Sequence, residues 1–247
     1  MLKKIHREGK ERHILSYSYM ALLKDCTKKK DLQQGTKLHA DIIKRGLLEK
    51  NPYLATTLIN MYAKCGVLAK AQKVLEELPI RDTFSWNALI AGYAEEGHSN
   101  KVLECLEQMQ RENLSPDDVT FLSILNACSR TGKSAEAQLY YETMSTKYGI
   151  IPKVEHHTCM VVIFGSEGRF DKAMSMIETM PSLNDPSVWL ALLSACKKWG
   201  NVKLGRLAFD NVTRLDDNVG VAYVFMASIY AAADMQEEAQ SVKSIRR

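Results

Sequence analysis

Apolar residues recur at every third or fourth position along most of the chain, which is the spacing that places side chains on one face of an α-helix. The segment 83–117 is the clearest example. Its first apolar stripe consists of Trp86, Leu89, Ile90 and Tyr93, and its second of Val102, Leu103, Leu106 and Met109. Gly97 separates the stripes, and Pro116 ends the second, because proline cannot continue the helical hydrogen-bond ladder. Since sustained strand-like alternation is nearly absent, we predict an all-α protein built of antiparallel helix pairs.

This helix-pair pattern repeats, with copies of 31 to 36 residues. The successive segments are 16–51, 52–82, 83–117, 118–153, 154–185 and 186–219, followed by 220–247. Counted from the start of its segment, the fifteenth residue is glycine in five of the first six copies, and Lys30 is the exception. Those glycines are Gly66, Gly97, Gly132, Gly168 and Gly200. A repeat of this size predicts a solenoid, because stacking completes a core that no single helix pair can build.

The composition is that of one continuous folded array. The chain has 247 residues, 46% of them hydrophobic, and a net charge of +4, which permits a polyanionic partner without requiring one. No apolar run approaches the roughly 20 residues of a membrane span, so we expect none. The N-terminal segment 1–15 is basic but carries Glu8 and Glu11 and lacks an apolar stretch, which distinguishes it from a secretory signal and makes it a poor transit peptide.

The six cysteines form no CxxC pair. Three of them share the eleventh place of their segments, and these are Cys26, Cys128 and Cys196. We therefore expect small core residues of a protein in a reducing compartment, with neither disulfides nor a cofactor. His156 and His157 adjoin Cys159, but adjacent residues point to different helix faces, so we expect no metal site there.

Two families of helix pairs share this period, and the eighth place separates them. Tetratricopeptide repeats carry a small residue there, whereas each of the first six segments here carries a large aliphatic one. The strings LINMYAKCGVLAKAQKVLEELP, VEHHTCMVVIFGSEGRFDKAM and SVWLALLSACKKWGNVKLG resemble instead pentatricopeptide repeats (PPR) of the plant PLS class. The resemblance covers about residues 16–247 and implies a right-handed α-solenoid. In that family's terms the segments are long repeats (16–51, 118–153), short repeats (52–82, 154–185), a standard repeat (83–117), a first E motif (186–219) and a second E motif (220–247).

The resemblance implies that single-stranded RNA is read one base per repeat, by the fifth and the last residue of each copy. The pairs that match these places are Thr56 with Asp82, Asn87 with Asp117, and Thr158 with Asp185. By the family's code, the threonine pairs imply guanine and the asparagine pair implies uracil. Weaker reading is implied where the fifth place is apolar, in the pairs Met20 with Asn51 and Leu122 with Lys153. The second place, which packs against base faces in this family, holds Tyr53, Phe84 and Val119, whereas Glu155 departs from the apolar pattern.

Simpler explanations of these residues stay open at this point. Each of the three aspartates precedes a first helix, where a capping carboxylate contributes about 1 kcal/mol on its own. Capping does not explain the polar residue at the fifth place. Tyr53 and Phe84 are as well suited to an inter-helix core as to RNA stacking.

The sequence contains one HxE string, His6–Arg7–Glu8, but no CxxC, P-loop or GxSxG motif, so we predict no enzymatic activity. In the family, catalysis comes from a DYW-type deaminase domain placed after the E motifs, and the sequence ends at Arg247 before such a domain. The resemblance implies an RNA-binding adaptor for C-to-U editing in the mitochondrion or chloroplast, with the mitochondrion preferred. A deaminase-bearing DYW-type PPR protein and multiple organellar editing factors would then act in trans. The alternative is a protein-binding helical scaffold of an editing or splicing complex with weak RNA contact.

Overall fold

A computed structural model describes the backbone of residues 2–48, 51–180, 182 and 184–245, and the side chains of 13–48, 51–180, 182 and 184–244. The side chains of most of the basic segment 1–15 therefore lie outside the described residues. Across the described ranges the secondary structure consists of fourteen α-helices without a β-strand, which confirms the all-α prediction. The chain divides into two compact units, Met1–Ala127 and Cys128–Arg247.

Every predicted segment contains one helix pair. The first unit contains α1 (Leu2–Lys29), α2 (Leu32–Lys44), α3 (Pro52–Lys64), α4 (Leu68–Glu77), α5 (Thr83–Glu95) and α6 (Ser99–Arg111), and α7 (Asp118–Thr131) contains the division between the units. The second unit contains α8 (Ser134–Thr146), α9 (Val154–Ser166), α10 (Phe170–Glu178), α11 (Pro186–Trp199), α12 (Val202–Leu215), α13 (Gly220–Ala232) and α14 (Gln236–Ile245). Helix α1 runs without a break across the expected boundary between residues 15 and 16.

A left-handed residue closes the turn inside each helix pair. The fifteenth place has a positive φ in all seven segments, from +54° at Lys30 to +75° at Gly66. The residue after it donates its N–H to the carbonyl at the eleventh place, as Val67 does to Tyr62 at 2.9 Å. Glycine adopts this conformation without a Cβ clash, which explains the predicted glycines. Lys30 and Asp234 hold the same conformation as non-glycine residues.

The eighth place supplies the centre of the core, as large aliphatic side chains there predict. Its residues in the first six segments are Leu23, Ile59, Ile90, Leu125, Val161 and Leu193, all with 0% exposure. Helix α3 packs against α1, α4 and α5, and α11 packs against α9, α12 and α13. Within each unit, the first helices of successive pairs therefore lie side by side. Except in α1, which begins earlier, the N-terminal ends of these helices carry the second and fifth places.

The cysteines behave as core residues. Cys26, Cys105, Cys128 and Cys196 are buried, Cys65 and Cys159 are half-buried, and all six are free thiols. Burial raises the pKa of the Cys105 and Cys196 thiols to about 12, so these thiols stay protonated. Among the described residues, no group of three histidine, cysteine or acidic side chains is placed to hold a metal ion. No helix in the described part of the chain has both the length and the apolar character needed to cross a membrane.

Candidate nucleic-acid interface

A cavity of about 640 Å³ lies in the first unit, along α1 between His13 and Lys24 and along the N-terminal ends of α3 and α5. Its lining contains the second, fifth or last residue of the first three segments, together with neighbouring polar residues. The lining residues are His13, Tyr17, Met20, Lys24, Asn51, Pro52, Tyr53, Thr56, Thr57, Asp82 and Phe84. The structure thus brings a row of aromatic rings and a set of polar side chains to one groove.

The aromatic rings of this cavity face solvent. The exposed fraction is 70% for Tyr53, 64% for Phe84 and 58% for Tyr17. This exposure contradicts the alternative that Tyr53 and Phe84 belong to an inter-helix core. Side chains this exposed offer flat faces on which unpaired bases can stack, for about 1–3 kcal/mol per base. Val119, at the same place of the fourth segment, is also exposed, by 47%.

Asn87 and Asp117 form a direct pair. The Asn87 Nδ2 donates to Asp117 Oδ1 at 2.8 Å, although the residues are thirty positions apart. Thr120 Oγ1 donates to Asn87 Oδ1 at 2.6 Å, and the Thr120 backbone N–H donates to Asp117 Oδ1 at 2.9 Å. Asn87 is only 6% exposed, so its amide is held by protein groups rather than by water.

The two threonine pairs are arranged differently. The Thr56 hydroxyl donates to the Pro52 carbonyl at 3.0 Å, and that of Thr158 to the Val154 carbonyl at 2.8 Å. Asp82 accepts from the Ser85 N–H at 2.8 Å and caps α5, and Asp185 accepts from the Ser187 N–H at 2.8 Å and caps α11. Capping of the first helices by these aspartates is therefore confirmed. It occupies one oxygen of each carboxylate.

The weaker pairs offer little for base recognition at the fifth place. Met20 and Leu122 are half-buried and lack a side-chain hydrogen-bonding group that matches a base edge. Asn51 caps α3 by accepting from the Leu54 N–H at 3.1 Å. Lys153 is exposed and precedes α9, where its backbone N–H donates to His156 Nδ1 at 3.1 Å.

His156 and His157 point into different contacts, as expected for neighbours on a helix. His156 accepts the Lys153 N–H, whereas the His157 ring lies 3.2 Å from the Tyr141 hydroxyl and 3.2 Å from the Met176 carbonyl. Burial lowers the pKa of His157, because the charged imidazolium is poorly solvated there. Burial also raises the pKa of Tyr141 to about 12. Both groups are neutral at pH 7 and serve as core polar contacts.

Known repeat families match the central part of this chain. The sequence matches the PPR repeat family over residues 81–130 and the PPR repeat over residues 53–82, 119–148 and 155–184. These stretches together make up just over half of the chain. The chain belongs to the pentatricopeptide repeat family. The match places α3 to α10 in PPR repeats, in agreement with the resemblance read from the sequence.

Several PPR proteins are similar to this chain along nearly its whole length. CRR2, chloroplastic, of Arabidopsis thaliana is 36% identical over 243 residues, which are 98% of this chain and 37% of that protein. At3g53360, mitochondrial, of the same plant is 36% identical over 223 residues, or 90% of this chain and 29% of that protein. The chain thus spans less than half the length of these relatives. Their names include both organelles, which does not support a preference for the mitochondrion.

A solved PPR structure has the same fold. The maize protein PPR10, in complex with an 18-nt psaJ RNA element, matches with a TM-score of 0.64 and 17% identity, covering 92% of this chain and 39% of that one. This likeness establishes the solenoid class of helix pairs for this chain.

The second unit of this PPR chain carries a different cavity, of about 460 Å³, along α9, α11 and α13. Its lining is mainly apolar and consists of Val162, Ser166, Ser187, Leu190, Ala191, Ser194, Ala195, Lys198 and Phe225. Leu190 holds the fifth place of segment 186–219. The fifth place of the earlier repeats is polar in three copies and apolar in two. Sequence reasoning missed this cavity, because its lining comes from three separate helices.

Four further residues of the candidate interface were not found from the sequence. Tyr17 holds the second place of the first segment, so the repeat register alone is enough to find it. Thr120 is fully buried at 0% exposure and contacts the Asn87 and Asp117 side chains. Its place in the repeat, the third, is not one of the base-reading places, so the repeat pattern gave no sign of these contacts. His13 and Lys24 add cationic or polar groups beside the aromatic row.

Proposed function

We propose that this protein is a single-stranded RNA-binding adaptor in organellar RNA metabolism. The observation that carries the proposal is the cavity of the first unit, where Tyr17, Tyr53 and Phe84 expose their rings beside polar side chains at the fifth and last places. Aromatic stacking with adjacent hydrogen-bonding groups is the combination by which single-stranded RNA is bound and read. His13 and Lys24 are suited to the phosphates beside the stacked bases.

The proposed sequence preference follows the pairs at the fifth and last places. Thr56 with Asp82 selects guanine, Asn87 with Asp117 selects uracil, and Thr158 with Asp185 selects guanine. The repeat 118–153 between the last two specifies its base poorly, since Leu122 presents no matching polar group. The hydrogen bonds of the Asn87 amide leave one N–H and one oxygen lone pair for a base, a donor and an acceptor that complement the uracil edge.

We further propose that the adaptor serves C-to-U editing, with the deaminase supplied by a DYW-type PPR protein in trans. Related PPR proteins carry chloroplast or mitochondrial names, which supports an organellar location. The segment 186–247 is the proposed docking region, because the cavity of the second unit is lined mainly by apolar side chains such as Leu190 and Phe225. Apolar cavities at places that carry polar readers elsewhere suit a protein partner better than a base.

The test is binding of the purified chain to short RNAs that carry guanine, uracil, any base and guanine in order, against permuted controls. The Asn87→Thr variant changes the second reader to the kind found at Thr56 and Thr158. We expect its preference at the second base to move from uracil toward guanine, by about tenfold if each reading contact discriminates by 1–3 kcal/mol. We also expect the affinity to fall with increasing salt, because phosphate contacts release counterions.

A second candidate function is a protein-binding scaffold of an organellar editing or splicing complex. The apolar cavity of the second unit favours it, since that cavity has the character of a protein-contact surface rather than of a base-reading one. Absence of sequence preference in the wild-type chain, or absence of binding near physiological salt, would contradict coded reading. That result would leave the scaffold as the better account.

A further inference from the structure

We propose that Thr120 is a positioning residue, which orients the Asn87 amide so that the third residue of one repeat sets the base preference of the repeat before it. This inference rests on the proposed RNA-reading function. Thr120 does not face the groove, because its side chain is fully buried. It would therefore act on the base only through Asn87.

Three side chains form a closed hydrogen-bonded group at the start of α7. Thr120 Oγ1 lies 2.6 Å from Asn87 Oδ1 and 2.9 Å from Asp117 Oδ1, and Asn87 Nδ2 lies 2.8 Å from the same carboxylate oxygen. The Thr120 oxygen in turn accepts the Asp117 backbone N–H at 3.1 Å. All three residues lie within the first unit, and the group joins α5 to the N-terminal end of α7.

The chemistry of these groups determines which way the amide points. A carboxylate only accepts hydrogen bonds, so the nitrogen of Asn87 must face Asp117. The Asn87 oxygen then needs a donor, and the Thr120 hydroxyl supplies one. Asp117 Oδ1 already accepts from Asn87 and from the Thr120 backbone N–H, and the Thr120 hydroxyl lies closer to the Asn87 oxygen. The hydroxyl proton therefore goes to Asn87.

With both ends of the amide held, the remaining N–H and the remaining oxygen lone pair have a fixed order and direction. A rotated amide would exchange donor and acceptor at the base edge, and a displaced one would present neither. Asn87 is 6% exposed, so water is poorly placed to replace the lost hydroxyl. Removing the Thr120 hydroxyl should therefore relax the base preference at this repeat.

The preceding repeat provides a matched control. Ser85 holds the corresponding third place of its segment and is 2% exposed. Its hydroxyl accepts the Asp82 N–H at 3.0 Å and lies 2.8 Å from the Asp82 carbonyl, which is the same helix-capping role. The fifth-place residue of that pair, Thr56, donates instead to the Pro52 carbonyl. Ser85→Ala thus removes a comparable cap without touching a base-reading side chain.

The experiment measures the affinity for RNAs that differ only at the second base, for wild type, Thr120→Val, Thr120→Ser and Ser85→Ala. Valine keeps the shape of threonine and removes the hydroxyl, whereas serine keeps the hydroxyl. We expect Thr120→Val to lower the uracil preference by about fivefold or more, in line with the loss of one oriented polar contact. Thr120→Ser and Ser85→Ala should keep the preference within about twofold of wild type. Thermal melts accompany each variant, and Thr120→Ala replaces the valine variant if that one does not fold.

The outcomes separate this inference from the proposed function. A wild-type uracil preference that survives in Thr120→Val and Thr120→Ala overturns the positioning role and leaves RNA reading intact. A relaxed preference in Ser85→Ala equal to that in Thr120→Val also overturns it, because loss of a cap would then be the cause. A wild-type chain without any preference at the second base overturns both proposals.

Discussion

The fifteenth place shows how one residue controls each helix pair. Its φ is positive in every segment, and the following N–H closes the turn onto the eleventh place. Non-glycine residues are strained there by about 1–2 kcal/mol, because Cβ approaches a backbone carbonyl. Lys30 and Asp234 therefore hold a conformation that their own chemistry disfavours, and the surrounding helices impose it.

We predict that Lys30→Gly stabilises the protein. The Lys30 side chain is exposed, so its loss removes little packing, while the relief of strain exceeds the added entropy of a glycine in the unfolded chain. The expected gain in the free energy of unfolding is about 0.5–1 kcal/mol, measured by urea denaturation. Gly66→Ala is the reverse control and should destabilise by a similar amount. An unchanged or lower stability of Lys30→Gly would contradict this account of the turn.

At the scale of elements, the spacing of first helices depends on small residues. A Cβ added to Gly92 in α5 would lie 2.7 Å from the Ala63 Cβ in α3, and one added to Gly165 in α9 would lie 2.6 Å from the Ala195 Cβ in α11. Real Cβ atoms do not approach this closely. The helices can therefore lie side by side only because both partners are small at these contacts.

We predict that Gly92→Ala destabilises the protein by about 1–3 kcal/mol, although alanine is the better helix former. The Ala63 Cβ is attached directly to the backbone, so only a shift of α3 or α5 relieves the clash. Gly35→Ala is the control, because its added Cβ would meet the flexible thioether of Met61, whose Sδ lies at 2.5 Å. Urea denaturation should give a smaller loss for Gly35→Ala. Equal losses in the two variants would show that helix spacing is not the cause.

At the scale of the whole molecule, the described part of each unit contains a histidine whose pKa is lowered because desolvation disfavours its charged form. In the first unit, His39 Nδ1 lies 2.9 Å from the Tyr62 hydroxyl, and in the second unit His157 contacts Tyr141. The unfolded chain binds protons at these histidines at a higher pH than the folded protein does. Their contribution to stability is therefore complete above pH of about 6.5 and is lost as the pH falls toward the lowered folded values.

We predict that the free energy of unfolding decreases between pH 7.5 and pH 5.5, and that His157→Gln reduces this decrease. Urea denaturation gives the free energy of unfolding at each pH, and the change in that free energy between the two pH values is compared between the variants. The absolute stabilities are not compared, since glutamine also changes the contact with Tyr141. A His157→Gln variant with the full wild-type decrease would exclude His157 as a source of acid sensitivity.

Much of the fold was predictable because its determinants are local. Helical spacing, the large eighth-place residues and the turn glycines all act within a single segment, and repetition makes the register visible. The same register located Tyr53, Phe84, Asn87 and Asp117. The pairing of Asn87 with Asp117 was expected from the resemblance, but the hydroxyl of Thr120 between them was not, because a threonine in a first turn ordinarily reads as a cap.

The sequence by itself determined the helix pairs and the membership of the chain in the PPR family, since periodicity and turn chemistry depend on neighbouring residues. Only the tertiary structure decided which side chains meet. Asn87 in α5 reaches Asp117, which directly precedes the next helix pair, whereas Thr56 bonds within its own helix. The tertiary structure also determines the exposure of Tyr53 and Phe84 and forms the apolar cavity around Leu190. These features depend on the distances between stacked helices, which are set by packing contacts between residues some thirty positions apart.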